Sequence, residues 1–115
     1  MEALEIGAYL INEDLFKLFK KQLKKDFETS GVDAGFADNL LPEWLFLKEV
    51  IARALKPLSN SNQLLTSLLY RIDISESEIQ HARALHGDMA FEELMAELII
   101  KRILQKVVLK KKFSV

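Results

Sequence analysis

Apolar residues recur every three or four positions through most of this 115-residue chain, and few residues interrupt the pattern. The sequence contains four glycines and two prolines, so long regular elements are favoured over a succession of turns. Half of the residues are hydrophobic, which is enough to build a core without metals or disulfides. These features predict an all-α fold, formed by a single helical domain over residues 1–115.

Capping residues divide the apolar pattern into about five helices, which we expect to pack as an irregular bundle. Asn12 suits the N-cap of the first helix and Gly31 its C-cap, while Ser75 and Glu78 have the spacing of a capping box. Pro42 suits the first position of the second helix. The first ten residues fit a strand and a helix equally well. The predicted helices span approximately residues 12–30, 43–56, 62–73, 76–86 and 89–110.

Five lysines between residues 15 and 28 raise the question of a surface for nucleic acid or membrane. At about 100° per residue, the phenylalanines and leucines of this segment gather on one side of the helix and the lysines on the other. We interpret the lysine side as a solvated face, with weak binding of nucleic acid or another polyanion as the alternative. Membrane-surface binding is disfavoured because the apolar side is needed for the core. The lysines are Lys17, Lys20, Lys21, Lys24 and Lys25.

Charge is unevenly distributed, although the formal net charge is −1. Residues 73–97 carry seven acidic side chains against Arg83 alone. The chain beyond them, here called the basic tail, has no acidic residue and would join the lysine side in contacting a polyanion. Such asymmetry indicates association rather than fold. The basic tail carries Lys101, Arg102, Lys106, Lys110, Lys111 and Lys112.

The last predicted helix changes its apolar face near residue 100. Up to Ile99 the apolar stripe suits the core of the domain, whereas from Ile100 onward the apolar residues are centred on nearly the opposite side. Either the helix breaks there or its second half packs against something else, and we favour a symmetric dimer. A helix surrounded on all sides and a final strand-like segment are the alternatives. The predicted interface consists of Ile100, Ile103, Leu104, Val107 and Val108.

Few residues suggest chemistry. Glu78 and His81 have the E-x-x-H spacing of di-iron bundles, but the motif occurs once, so no metal is predicted. No nucleophile elbow, phosphate-binding loop or dinucleotide fingerprint is present, so we expect neither a cofactor nor enzymatic activity. If the chain is instead an enzyme or a ligand carrier with a pocket between helices, the side chains to inspect are Trp44, Tyr70, His81 and His86.

The cellular compartment is predicted from features that the sequence lacks. Cysteine is absent, the first residues are acidic rather than basic, and no apolar run approaches the ~18 residues of a membrane span. These features predict a cytoplasmic domain without a membrane span. The leading hypothesis is a non-enzymatic helical module that binds itself or another protein.

Overall fold

A computed structural model describes the backbone of residues 3–113 and the side chains of residues 6–58 and 61–113. This part of the chain forms helices and no strand, which confirms the all-α prediction. The α-helices are α1 (Ala3–Leu10), α2 (Glu13–Thr29), α3 (Trp44–Leu55), α4 (Asn62–Ile72), α5 (Glu76–Leu85) and α6 (Phe91–Phe113). Two 3-10 helices, Gly35–Asn39 and Lys56–Asn60, flank α3. The predicted helices correspond to α2 through α6, with every boundary within about three residues.

The helix ends that were predicted from capping residues are formed by those residues. The side chain of Asn12 accepts a hydrogen bond from the backbone N–H of Leu15 at 3.0 Å. Ser75 accepts one from the backbone N–H of Glu78 at 3.1 Å, which is one half of the predicted capping box. Gly31 follows α2 with a φ of +84°, a conformation that glycine adopts without steric cost. Short-range sequence signals are therefore sufficient to define these ends.

The start of α3 differs from the prediction. Pro42 lies before the N-cap instead of at the first helical position, and Glu43 occupies the N-cap. The Glu43 carboxylate accepts hydrogen bonds from the backbone N–H groups of Leu45 and Phe46, at 3.3 and 3.0 Å. A side-chain acceptor thus satisfies two amides that the first turn leaves without partners.

The N-terminal segment is a helix from Ala3 to Leu10, which settles the ambiguity of the sequence pattern. Ile6 and Leu10 are one helical turn apart and are both buried, whereas Ile11 is 75% exposed. This short helix packs against α2, α3 and α6, so its apolar face covers one end of the core.

The long helix α6 passes through the centre of the bundle. It is continuous over 23 residues and contacts all five of the other α-helices. Its buried side chains are spread over most of its circumference, because neighbours cover it on several sides. They are Leu94, Met95, Ala96, Ile99, Ile100, Ile103, Leu104 and Val107. Within residues 3–113, neither α6 nor any other helix is long and apolar enough to cross a lipid bilayer.

The residues predicted to form a dimer interface pack inside their own chain. The apolar face of α6 does change near residue 100, but the second half packs inside the same chain instead of projecting. Val108 is half-buried and the other four residues are no more than 2% exposed. The surrounded helix, one of the two alternatives, is what the structure contains. The residues that do not form an exposed surface are Ile100, Ile103, Leu104, Val107 and Val108.

Candidate functional site

Polar side chains connect α2 with the C-terminal half of α6, and the two helices run in opposite directions along this contact. Lys106 pairs with Asp26 at 3.0 Å, and Lys110 donates to the side-chain oxygen of Gln22 at 3.1 Å. About two turns nearer the start of α2, Asp14 lies 3.6 Å from Lys111. The contact therefore brings the basic tail against the helix that carries the lysine side.

Asp26 anchors this contact and was missed in the sequence. Its side chain is 3% exposed, and it accepts hydrogen bonds from Lys106 and from the amide of Gln22. The available signal was its position, between Leu23 and Phe27 on the apolar side of α2, where a carboxylate requires a partner. The sequence does not identify that partner, since Lys106 is 80 residues away along the chain.

Two open grooves flank this contact and share Lys110. Seven basic and two acidic side chains line them, so the grooves carry a clear excess of positive charge. One groove lies between α2, the end of α4 and α6, and the other lies between the N-terminal half of α2 and the end of α6. We call their basic residues the basic surface: Lys17, Lys25, Arg71, Arg102, Lys106, Lys110 and Lys111.

Four members of the basic surface form no ion pair among the residues that the structure describes. Three of the other members pair with carboxylates: Arg102 with Asp73, Lys106 with Asp26 and Lys111 with Asp14. The other four come from α2, α4 and α6, and the carboxylates lining the grooves are occupied by the pairs just given. An anion arriving there would not have to displace an acidic side chain from them. These residues are Lys17, Lys25, Arg71 and Lys110.

The lysine side of α2 is divided between two environments. Lys20 lies over the ring of Phe16, with Nζ 5.2 Å from the ring centroid, and Lys24 pairs with Asp38 at 3.3 Å. Lys17, Lys21 and Lys25 are exposed, and two of these line the grooves. The five predicted lysines therefore do not act as one set. Lys17 and Lys25 instead lie on the same surface as the basic tail and Arg71.

A separate cleft, between α5 and α6, contains both histidines. His81 and His86 line it together with Glu78, Lys101 and Arg102. Its volume of about 290 Å³ is at the lower end of the range for small-molecule sites. Both histidines are exposed. Glu78 and His81 line the same cleft, in agreement with their spacing in the sequence. In the described part of the chain, no group of three or more potential ligands could hold a metal.

Arg102 belongs to the basic surface and also lines this cleft. Its guanidinium donates to Asp73 at 2.8 Å and to Gln105 at 3.3 Å. Its Nε atom is buried and has no hydrogen-bond partner within residues 6–58 and 61–113. Arg102 therefore connects α6 to the end of α4 and is held in place by that contact.

The four side chains suggested for a pocket between helices do not converge. His81 and His86 share the cleft, whereas Trp44 is half-buried and packs against the core. Tyr70 is 87% exposed and lies on α4 beside Arg71, at a shallow pocket that Arg71 also lines. Tyr70 and Arg71 lie in the last turn of α4. From the sequence alone, packing and the helix dipole were enough to explain these two residue types at a helix end.

No protein-family model, curated protein or solved structure matches this chain. A function is therefore inferred from the charge, exposure and contacts of the chain's own residues.

Proposed function

We propose that this chain is a binding domain for the phosphate backbone of nucleic acid. The observation that carries the proposal is the grouping of Lys17, Lys25, Arg71 and Lys110 on adjoining grooves without carboxylate partners in the described part of the chain. From the sequence alone, this function was the alternative to protein association. It becomes the leading proposal because the residues predicted for association lie in the core.

The positive charge of these four side chains is the physical basis of the proposal. Each phosphate neutralised by lysine or arginine releases condensed counterions, so that affinity falls steeply as salt is added. Four contacts predict a slope of about −3 for the logarithm of the association constant against the logarithm of salt concentration, at about −0.7 per phosphate for a single strand. Lysines in the last turn of α6 also offset the helix dipole, but that effect does not account for Lys17, Lys25 or Arg71.

We expect Lys17→Gln, Lys25→Gln and Lys110→Gln together to weaken oligonucleotide binding and to reduce the magnitude of the salt slope by about 2. Folding should be unaffected, since substitutions at exposed positions change stability by about 0.5 kcal/mol or less. Fluorescence anisotropy with a labelled 20-nucleotide oligomer measures the effect at salt concentrations between about 50 and 200 mM. Thermal melting checks the fold.

The matched control is Lys20→Gln, Lys24→Gln and Arg53→Gln, which removes the same charge elsewhere. Lys20 and Lys24 already have intramolecular partners, and Arg53 pairs with Glu49 at 2.9 Å. This control should retain the salt slope of the unmodified protein. Equal losses in both triple variants would show that net charge alone matters, which would contradict a defined surface.

Self-association remains the second candidate, on a different surface. Leu45 is 63% exposed and lines a groove that has Lys48 and Arg53 on α3 and Glu92 and Glu93 on α6. Lys48 and Arg53 already pair with Glu97 and Glu49 inside the chain. In a two-fold dimer, the apolar contact of Leu45 with its copy would therefore be the main attraction. The specific observation in its favour is the exposed leucine in this groove.

For this second candidate, sedimentation equilibrium is expected to report a dimer that Leu45→Glu converts to a folded monomer, because a charge would be buried at the contact. Leu85→Glu, at a leucine that is 65% exposed elsewhere, is the control and should remain dimeric. A monomeric unmodified protein would exclude the dimer and leave the basic surface unaffected. We further propose a cytoplasmic location, which the cysteine-free sequence supports.

A further inference from the structure

Tyr70 is an aromatic side chain placed at the edge of the basic surface. It is 87% exposed, and it stacks on no ring and forms no side-chain hydrogen bond within the described part of the chain. The shallow pocket beside it is lined by Arg71, Ser67, Ser30 and Thr29. Arg71 also lines the groove between α2, α4 and α6, so the pocket and the groove adjoin. A flat apolar ring is therefore presented to solvent next to unpaired positive charge.

We propose that the nucleic acid bound here is single-stranded, with phosphates along the basic surface and a base stacked on Tyr70. This inference rests on the proposed function and specifies its ligand. Proteins that bind single strands combine a positive groove with aromatic side chains on which bases stack. In a duplex both faces of each base are covered by neighbouring pairs, so the ring of Tyr70 could stack on a base there only after the duplex was locally unstacked.

The dimensions suit a short single strand. Lys17 and Thr29 are separated by twelve residues of α2, or about 18 Å at 1.5 Å per residue. A stacked strand advances about 3.4 Å per nucleotide, so the path from one end of the basic surface to the Tyr70 pocket accommodates about five nucleotides. This length agrees with the lower end of the site sizes of single-strand binding domains, about 4–16 nucleotides.

The hydroxyl groups of the pocket are oriented by the end of α2. Ser30 donates to the carbonyl of Asp26 at 2.8 Å, and Thr29 donates to the carbonyl of Lys25 at 2.6 Å. Each hydroxyl oxygen retains lone pairs that can accept a hydrogen bond from an exocyclic amine of a base. Stacking itself tolerates every base, so we expect a weak preference among sequences and a strong preference for single strands.

The test compares Tyr70→Ala and Tyr70→Phe on three probes: a 20-nucleotide single strand, the same sequence as a duplex, and inorganic polyphosphate, which has phosphates without bases. We expect the unmodified protein to bind the single strand more tightly than the duplex at equal salt. Tyr70→Ala should weaken single-strand binding by at least about fivefold, the smaller end of the contribution of one stacked base, and should leave polyphosphate binding unchanged. Tyr70→Phe retains the ring and should bind the single strand nearly as well as tyrosine.

The outcomes separate this inference from the proposed function. Binding of polyphosphate and of both nucleic acids, with no effect of Tyr70→Ala, would overturn the stacking role and leave phosphate binding intact. Binding of none of the three probes would overturn both proposals. Tighter binding to vesicles containing anionic phosphatidylserine than to the single strand would also overturn both, because it would assign the basic surface to a membrane headgroup. A far-UV circular dichroism melt of each variant shows that the fold is retained.

Discussion

Ile103→Ala is expected to lower the free energy of unfolding by about 2–5 kcal/mol, the range for removing a buried isoleucine side chain. Ile103 is 0% exposed and lies in the part of α6 that the other helices surround. Alanine would remove apolar contacts and leave a cavity that a central helix, fixed by several neighbours, cannot close by moving toward one of them. Such a loss is a large part of a typical domain stability of about 5–15 kcal/mol.

Urea denaturation followed by circular dichroism measures this loss, and Leu109→Ala is the control. Leu109 lies on the same helix and is 50% exposed, so its truncation should change the free energy of unfolding by about 0.5 kcal/mol or less. Equal effects at the two positions, or an unmodified dimer that Ile103→Ala dissociates without loss of stability, would contradict the burial of Ile103 in its own chain.

Asp26→Ala is expected to cost about 3–5 kcal/mol, because it removes one partner of a buried ion pair. The carboxylate of Asp26 is 3% exposed and the side chain of Lys106 is 18% exposed. After the substitution, the ammonium group of Lys106 would keep one hydrogen bond, to the carbonyl of Arg71 at 3.1 Å, and would lack a counter-charge. The Gln22 amide would also lose its acceptor.

The double variant Asp26→Leu with Lys106→Met distinguishes the cost of an unpaired charge from the value of the pair. Replacing both partners by apolar residues of similar size is often neutral or stabilising, so the double variant should be more stable than Asp26→Ala. Chemical denaturation of the three proteins gives the comparison. A double variant less stable than Asp26→Ala would show that Asp26 and Lys106 stabilise the domain mainly through the hydrogen bonds they share with neighbours.

The sequence predicted those parts of the fold that depend on near neighbours. Asn12 and Ser75 cap their helices as expected, because a cap involves a side chain and an amide three residues apart. The packing of α6 was not visible in the sequence, because angular analysis assumes that a helix has one buried side. A helix in the centre of a bundle has several, and the shift of its apolar face leaves room for Arg102 and Lys106 to meet Asp73 and Asp26.

The candidate site was only partly visible in the sequence for the same reason. Lys17 and Lys25 were identified as exposed, and the basic tail was identified by composition. Their grouping into one surface depends on the antiparallel contact of α2 with α6, which no local pattern specifies. Tyr70 and Arg71 join that surface because α4 ends beside it.

The most direct test of the central claim, that the grooves between α2, α4 and α6 bind a single strand, is to map the binding site by NMR. At 13.2 kDa, the ¹⁵N-labelled protein gives well-resolved amide spectra. Titration with a 20-nucleotide single strand should shift the amide signals around Lys25, Tyr70, Arg71 and Lys110. Signals around Leu45 should remain unchanged. Shifts concentrated in the histidine cleft or around Leu45, or no shifts at all, would contradict the assignment of the basic surface.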